Sequence, residues 1–317
     1  MEIQINELNS GKSILEILRG DLAFSSSAVT YLKNRSDGIL LNGEHATVRR
    51  TVTCGDVLCI NYEDCEEDQN ESILPVALPL DIIYCDRDII IVNKPPYMPT
   101  HPSHDHQTDT LANALAYHFK NLKKPFVFRA INRLDSQTSG LVIVARNKIS
   151  AQRLSEDMRA GKIRKTYFTV IHGRKNPPEG RINLPIKRLD GSKMLRTIGD
   201  DGAPSLTVYK TLSSNEMYSA LLASPITGRT HQLRVHFSHG GNCICGDTLY
   251  GYPCEYINRQ ALHAFRLEFP HPSSGDPLCV YAPLPDDIAS LCESVFSFSD
   301  QEKLKRQKGL YYDKDPI

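Results

Sequence analysis

One carboxylate, Asp135, lies where the sequence could support a reactive group. A short polar turn separates it from the run Leu141–Ala145, which is apolar and rich in β-branched residues. Such a run, bounded by turn residues, predicts a buried strand. A loop carboxylate at the end of a rigid strand is a common placement for a reactive group. Asp135 could equally cap the turn, because Asp often does so before Ser, Gln and Thr.

An arginine far along the chain has a similarly fixed predicted position. Arg229 follows Gly228 on a turn, just before a helix. Thr230 is the predicted N-cap of that helix and Gly240 its C-cap. This arrangement would hold the guanidinium on a rigid turn. A third residue, Tyr167, lies in a predicted strand, where taken alone it favours an ordinary core tyrosine.

The sequence lacks the motifs of several other chemistries. It contains no dinucleotide-binding glycine fingerprint, no zinc-protease motif and no nucleophile elbow. Gly11–Ser13 matches the end of a phosphate-binding loop, but Asn6 occupies the place of its first glycine. Cys243 and Cys245 do not have zinc-site spacing. The sequence therefore predicts no metal and no nucleotide cofactor.

Composition describes an ordinary globular chain of 317 residues with 40% hydrophobic content and zero formal net charge. Zero net charge argues against a broadly basic surface, although a local basic groove is compatible with it. No run is long and apolar enough for a membrane span, and the N-terminus has no signal-peptide pattern. The odd number of cysteines, nine, favours reduced thiols in a cytoplasmic protein. A monomer is the default expectation.

The catalytic candidates are surrounded by predicted helices and strands. We expect helices from Asp109 or Thr110 to Phe119 and from Lys148 to Ala160. The predicted strands are Ile82–Tyr84, Ile89–Asn93, Thr166–Ile171, Thr207–Tyr209 and Leu262–Phe269. The region between Gly173 and Asp201 is predicted to be rich in loops, with patches of basic residues.

The first sixty residues predict two helices followed by a hairpin. Ser13 and Glu16 have capping-box spacing, a helix is predicted from Ser25 to about Asn34, and Asn42-Gly43 predicts a hairpin turn. From residue 9 to 61 this order resembles the small RNA-binding domain first named for ribosomal protein S-four. Such domains usually have arginine where this chain has serines 25–27. The candidate phosphate contacts are Lys33, Arg35, Arg49 and Arg50, which an ordinary solvated charged surface would explain equally well.

The domain prediction has four parts. Residues 1–62 form the RNA-binding domain and 63–80 an exposed acidic linker, since that stretch is acidic, polar and without periodicity. Residues 81–295 form the catalytic domain, and 296–317 a charged tail.

Several segments together resemble the RluA-type pseudouridine synthases, over about residues 82 to 285. The central one runs from Asn132 through Asp135 to Leu141, and Asn132 stands where the family usually has histidine. The others, all in the family's order, are Val92–Pro96, His101–Ser103, Lys165–Tyr167, Thr227–His236, Gly246–Gly251 and Leu262–Ala264. We expect Asn132 to alter loop contacts without abolishing catalysis, because asparagine can still form hydrogen bonds.

The resemblance implies a fold, a reaction and roles for residues. The fold would be α+β, with the small RNA-binding domain followed by a mixed, mainly antiparallel sheet and flanking helices. The reaction would isomerise uridine in RNA to pseudouridine without a cofactor. Asp135 would be the catalytic carboxylate, Arg229 its partner, and Tyr167 the stacking residue. Tyr167 could also remove the proton at carbon five if the site lowered its pKa. Substrate contacts would come from Arg133, Leu134 and Leu262, and phosphate contacts from Lys162, Arg164, Lys165 and the basic stretch Lys187–Arg196.

Three points stay open in the sequence. The carboxylate could attack the sugar or assist formation of a glycal. The RNA could be ribosomal, which the N-terminal domain favours, or transfer RNA. Two other functions are compatible with parts of the sequence: a non-catalytic RNA-binding or ribosome-assembly protein on the same fold, and a retaining glycosidase, which would need a second carboxylate about 5 Å away.

Overall fold

The N-terminal part of the chain folds around a four-stranded sheet. The computed structural model describes residues 1–65, 68 and 73–297. The strands of this sheet are β1 (Glu2–Gln4), β2 (Ile39–Leu41), β3 (Glu44–His45) and β4 (Val57–Ile60), in the order β1-β4-β2-β3. Helix α1 (Ile14–Glu16) continues into a π-helical turn (Ile17–Asp21), and helix α2 spans Ser26–Lys33.

Local sequence rules explain these first elements. Ser13 and Glu16 form the predicted capping box, and the Ser25 hydroxyl accepts a hydrogen bond from the N–H of Ala28 at the start of α2. Asn42 and Gly43 both have positive φ, 53° and 84°, as the predicted two-residue hairpin turn requires. Both helices cover one face of the sheet and bury a single apolar cluster there. The helix–helix–hairpin order is therefore confirmed.

A larger ten-stranded sheet forms the rest of the molecule. Its strands are β5 (Ile82–Cys85), β6 (Ile89–Lys94), β7 (Arg129–Ala130), β8 (Ser139–Ala145), β9 (Arg164–His172), β10 (Glu179–Asn183), β13 (Leu206–Ser214), β14 (Tyr218–Pro225), β15 (Leu262–Pro270) and β16 (Pro277–Tyr281). The main order is β10-β13-β14-β9-β15-β8-β6-β5, with β16 paired to β15 and β7 to β8. All its pairings are antiparallel except β8 with β15, so the mixed, mainly antiparallel α+β prediction is confirmed.

Helices cover this sheet on both faces. They are α3 (Leu111–Asn121), α4 (Lys148–Arg159), α5 (Gln232–His239) and α6 (Asp286–Val295). Alternate residues of β8 enter different clusters: Val142 and Val144 pack with α3, α5 and α6, while Ile143 packs with α4. Strand β8 is consequently buried on both sides, as its unbroken apolar sequence predicts.

The parallel contact between β8 and β15 depends on one glycine. Gly140 has φ of +111°, and a Cβ added there would lie 2.3 Å from the carbonyl oxygen of Ala264. Only glycine permits this approach without displacing one of the backbones. The approach brings the loop before β8, which carries Asp135, against the start of β15, which carries Leu262.

Two predictions about elements need correction. The region 173–201 contains strand β10 and a two-stranded hairpin, β11 (Ile186–Arg188) with β12 (Arg196–Ile198). These strands are short and are separated by Pro and Gly residues, so their alternation of polar and apolar residues is too brief to recognise. Helix α5 begins at Gln232 with His231 as its N-cap, so Thr230 was wrong as the cap, while Gly240 is confirmed as the C-cap.

Two described carboxylates of the predicted linker are not solvated as that prediction expects. The Asp64 side chain is 2% exposed and pairs with Arg129 at 2.6 Å. Asp68 pairs with Lys148 and accepts a hydrogen bond from Tyr31. Asp64 and Asp68 therefore attach the N-terminal part to β7 and α4 through charge-assisted hydrogen bonds.

Two further predictions concern the C-terminal tail and membrane-spanning segments. The predicted charged tail falls mostly on residues 298–317, outside the described residues. Among the described helices, none is long and apolar enough to cross a membrane.

Candidate active site

A cavity of about 400 Å³ lies where the Asp135 loop, the start of β9, the end of β14 and the start of α5 meet. Its volume is in the range of small-ligand sites. The lining includes most of the site residues predicted from the sequence: Arg133, Leu134, Asp135, Lys165, Tyr167, Arg229 and Leu262. Residues separated by up to about 130 positions therefore converge on one pocket, as the sequence predicts.

The Asp135 loop is held from behind by two buried cations. Lys94, fully buried at the end of β6, donates to the carbonyl of Ser136 at 3.1 Å and also to those of Pro95 and Met98. Arg259, also fully buried, donates to the carbonyl of Gln137 at 3.0 Å. A reactive carboxylate needs such second-layer support to keep a fixed geometry.

The arginine that pairs with Asp135 is Arg234, and the predicted pairing with Arg229 is wrong. Arg234 Nη1 donates to Asp135 Oδ2 at 3.1 Å. Arg229 lies exposed at the mouth of the same cavity, where its Nε donates to the carbonyl of Pro204 at 3.3 Å. The reason is geometric, because the chain turns sharply at His231 and the first turn of α5 directs Arg234 inward.

Arg234 is fixed by a second carboxylate. Its Nε and Nη2 donate to the two oxygens of Asp247 at 2.7 and 2.8 Å, a bidentate pair in which Asp247 is 1% exposed. Burial alone would lower the pKa of Arg234, but the hydrogen bonds and charge of Asp247 and Asp135 outweigh it and raise that pKa. Arg234 thus presents a permanent positive charge to Oδ2. In the described part of the chain, Asp135 Oδ1 has no hydrogen-bond donor.

Tyr167 is a neutral aromatic wall of the cavity. Burial and then the negative charge of Asp135 raise the pKa of its hydroxyl well above the ordinary value. The suggestion that the site could lower this pKa, and so make the phenol a standing base, is therefore wrong. A neutral ring beside Leu262, which is 4% exposed, offers a flat apolar surface for a base.

Lys165 and Arg133 supply positive charge near the opening. Lys165 lines the cavity, and burial lowers its pKa. Arg133 is exposed at the rim, whereas Leu134 packs into the core and joins its backbone to the Thr100 hydroxyl. Arg133 and Lys165 are thus basic side chains of the cavity lining, and Leu134 fixes the loop.

The remaining predicted RNA contacts differ in availability. Arg35 is bound to Asp37, Tyr31 and the carbonyl of Glu63, so it is not free for a phosphate and that prediction is wrong. Lys162 pairs with Asp157 at 2.9 Å on the surface. Lys33, Arg49, Arg50 and Arg164 are exposed.

Asn132 ties the Asp135 loop to β8. Its side-chain nitrogen donates to the carbonyl of Leu141 at 3.1 Å, and its oxygen accepts from the N–H of Ile143 at 2.8 Å. The Asn132 side chain therefore forms hydrogen bonds with the backbone of β8 similar to those that a neighbouring strand would form. Asparagine therefore makes the kind of hydrogen bonds expected for this position.

Four residues of the site were missed by the sequence argument, namely Lys94, His231, Arg234 and Asp247. Arg234 could have been suspected, because it is a charged residue within the buried face of a short helix. The pairing of Arg234 with Asp247, thirteen residues further on, depends on a loop return that no local pattern specifies.

Two groups of potential metal ligands occur among the described residues, both outside the cavity lining. One is His172, Cys245 and Cys254; the other is Asp86, Asp88 and His271. The second group is already joined internally, since His271 lies 2.7 Å from Asp86 and Asp88 accepts from Ser150 at 2.8 Å. Cys243 belongs to neither group.

Comparison with known proteins gives a consistent result. A family model described as RNA pseudouridylate synthase matches residues 88–239. The chain is 35% identical over 272 residues to YjbO of Bacillus subtilis, named an RNA pseudouridine synthase, across 86% of this chain and 95% of the relative. It is 32% identical over 272 residues to ribosomal large subunit pseudouridine synthase D of Vibrio parahaemolyticus, across 81% of this chain and 82% of that protein.

A solved structure supports the same assignment. Human RNA pseudouridylate synthase domain containing 1 matches with a TM-score of 0.56 and 29% identity, covering 75% of this chain and 97% of the human one. An N-terminal S-four-like domain is not identified by these matches. The chain belongs to the RNA pseudouridine synthase family and is an isomerase that acts on RNA.

Proposed function

We propose that this enzyme isomerises uridines of ribosomal RNA, with Asp135 as its catalytic carboxylate. The observation that carries the proposal is the environment of that carboxylate. One oxygen is paired with the buried Arg234, while Oδ1 has no donor among the described residues and belongs to a side chain that lines the cavity. The choice of ribosomal RNA rests on the names of the large-subunit relatives.

The cavity fits a nucleotide turned out of its helix. The neutral ring of Tyr167 and the side chain of Leu262 would enclose the uracil. Base–aromatic stacking contributes roughly 1–3 kcal/mol per base, which offsets part of the few kcal/mol that base flipping costs. Lys165, Arg133 and Arg229 at the mouth would contact the phosphates on either side.

The chemistry needs an anion beside the sugar. In one route Oδ1 of Asp135 bonds to the anomeric carbon as the bond to uracil nitrogen one breaks, which is nucleophilic catalysis. In the other route the carboxylate removes a sugar proton and a glycal forms. In both routes the base turns and its carbon five bonds to the anomeric carbon. This breaks the ester to Asp135 in the first route, and in the second route the carboxyl group returns its proton to the sugar. Carbon five then loses its proton and nitrogen one gains one. Arg234 serves both routes by holding the carboxylate in place.

The same proposal includes the setting of the enzyme. All nine cysteines are free thiols, as in a reducing compartment, and we expect a cytoplasmic enzyme that acts as a monomer. The N-terminal sheet and helices would add RNA contacts through Lys33, Arg49 and Arg50.

The test is release of tritium from RNA labelled at uracil carbon five. Wild-type protein should release tritium from ribosomal RNA, and Asp135→Asn should release none while binding the RNA with the same affinity. Asp276→Asn, which neutralises an exposed carboxylate on the turn between β15 and β16, is the matched control and should stay fully active. Full activity of Asp135→Asn would refute the catalytic role, and release from transfer RNA alone would refute the substrate class.

A further inference from the structure

His231 lines the cavity but has no part in the function proposed above. Its backbone is left-handed, with φ of 57° and ψ of 21°, immediately before α5. Residues other than glycine rarely adopt this backbone conformation, and asparagine is among the few that do so readily. Strained residues of this kind cluster at functional sites, because only a demanding environment maintains them.

The two neighbours of the His231 ring favour a proton on Nε2. The Tyr250 hydroxyl accepts the backbone N–H of Arg196 at 2.9 Å and lies 2.8 Å from His231 Nδ1, to which it can donate its own proton. On the other side of the ring, Nε2 lies near the Asp135 carboxylate, which can only accept. The neutral imidazole then carries its proton on Nε2. Burial lowers the pKa of His231 even though Asp135 opposes that shift, which keeps the ring neutral at neutral pH.

The protonated nitrogen faces the catalytic carboxylate. His231 Nε2 lies 3.6 Å from Asp135 Oδ2, the same oxygen that accepts from Arg234. This distance is just longer than a hydrogen bond. Hydrogen bonds between catalytic groups are often long before substrate binds and shorten in the complex.

We propose that His231 is a positioning residue for Asp135, whose Nε2–H closes on Oδ2 when the uridine enters. This inference rests on the proposed role of Asp135. Arg234 supplies the charge, and the second donor stops the carboxylate from rotating. Both donors engage Oδ2, so Oδ1 is the oxygen presented to the sugar. The strained backbone at His231 is what brings the ring to this position at the start of the helix.

Four variants test the proposal in single-turnover tritium release. His231→Asn keeps a residue that tolerates the left-handed backbone, but its amide is too short to reach Asp135. His231→Gln restores a longer donor. Tyr250→Phe keeps the ring packed on the Arg234 guanidinium, 5.1 Å away, and removes only the hydroxyl. The double variant joins His231→Asn with Tyr250→Phe, and His239→Asn, exposed at the end of the same helix, is the control.

The rate constant and the RNA affinity should respond differently. Because a misplaced reacting group costs about 100-fold in rate, His231→Asn should lower the single-turnover rate constant by about that factor. RNA affinity and the urea unfolding midpoint should not change. His231→Gln should recover part of the loss. Tyr250→Phe should show a smaller loss, and the double variant should be no slower than His231→Asn, because both changes remove one interaction.

Three results would overturn the proposal: an unchanged rate constant in His231→Asn, a loss of rate that parallels a loss of affinity or stability, or multiplicative losses in the double variant. The variants also distinguish failure of the proposed function from failure of the role proposed for His231. Full activity of Asp135→Asn would refute both the proposed function and the role of His231. An inactive Asp135→Asn with a fully active His231→Asn would refute the role of His231 alone.

Discussion

The two arginines of the cavity, five positions apart, have contrasting environments. Arg234 has a side chain 8% exposed, held between two carboxylates, whereas Arg229 is exposed at the mouth. A buried cation between two carboxylates orients them, and an exposed cation at an opening attracts phosphates. The two residues therefore offer a matched pair of substitutions that separates catalysis from RNA binding.

Arg234→Met should impair both catalysis and folding. It leaves Asp247 buried without its ion-pair partner, and removing one partner of a buried pair costs about 3–5 kcal/mol in the free energy of unfolding. Loss of the donor to Asp135 should lower the rate constant by about 100-fold. Arg229→Met should weaken RNA affinity and leave the free energy of unfolding within about 0.5 kcal/mol of wild type. Tritium release, RNA titration and urea unfolding measure these effects, and equal effects of the two substitutions would contradict the assignment.

The sequence predicted that Asp135 and Tyr167 share one site, where both line the cavity, but it misassigned the cation that pairs with Asp135. Asp135, Tyr167 and Leu262 lie at strand ends or in strands, whose positions follow from apolar patterning. The partner depends on where helix α5 starts, and a left-handed residue at His231 shifts that start by one position relative to the predicted cap. Arg229 lies before the helix, whereas Arg234 lies in its first turn and reaches Asp135, a placement that only the tertiary structure defines.

At the scale of elements, the contact between β8 and β15 places the Asp135 loop. His263 lies fully buried at that contact, with Nδ1 2.9 Å from the Ser139 hydroxyl and Nε2 3.4 Å from the carbonyl of Ala282. A neutral imidazole satisfies both neighbours, and a charged one would be poorly solvated there. The contact between the strands should therefore weaken in acid.

His263 should make stability depend on pH. Burial lowers its pKa to about 4 from an ordinary value near 6.5. Between these values the unfolded chain binds more protons than the folded one, so the free energy of unfolding rises with pH and falls on acidification. The full loss is about 3 kcal/mol between pH 6.5 and 4.

His263→Asn should remove this contribution, although it lowers stability at every pH by changing the packing. The difference in unfolding free energy between wild type and the variant should therefore shrink as pH falls from 6.5 to 4. Urea unfolding across that range measures the difference. His239→Asn, at an exposed position, should leave the pH dependence as in wild type, and a constant difference for His263→Asn would contradict the prediction.

Long apolar elements were predictable, and short polar ones were not. Strand β8 and helix α4 have apolar patterns and end signals that are local to the sequence. The observed bounds of both elements lie within one or two residues of the predicted ones. Strands β10 to β12 have only three to five residues each and gain their order from pairing, β10 with β13 and β11 with β12. Pairing of this kind is decided by tertiary contacts rather than by local propensity.

At the scale of the whole molecule, the acidic stretch joins the two sheets. Asp64 and Asp68 attach to β7 and α4, and Ile149 at the start of α4 packs into the N-terminal core. The N-terminal part is thus packed against helix α4 and tied to strand β7 of the large sheet by an ion pair. Although the formal net charge is zero, the charges are unevenly distributed. Asp64 and Asp68 form ion pairs within the molecule, whereas several basic residues are exposed to solvent.

Exposed basic residues of the N-terminal part should set the salt dependence of RNA binding. A variant with Lys33→Gln, Arg49→Gln and Arg50→Gln removes three exposed positive charges. Each lost phosphate contact lowers the magnitude of the slope of log affinity against log salt by about 0.7–0.9, so three lost contacts should lower it by about 2 to 3. The single-turnover rate constant for tritium release from bound RNA should not change, because Asp135 and its partners are not altered. The control changes Lys120, Lys123 and Lys124, also exposed, to glutamine and removes the same total charge at the end of α3. If both triple variants change the slope equally, the N-terminal part contributes only its net charge and not a binding surface.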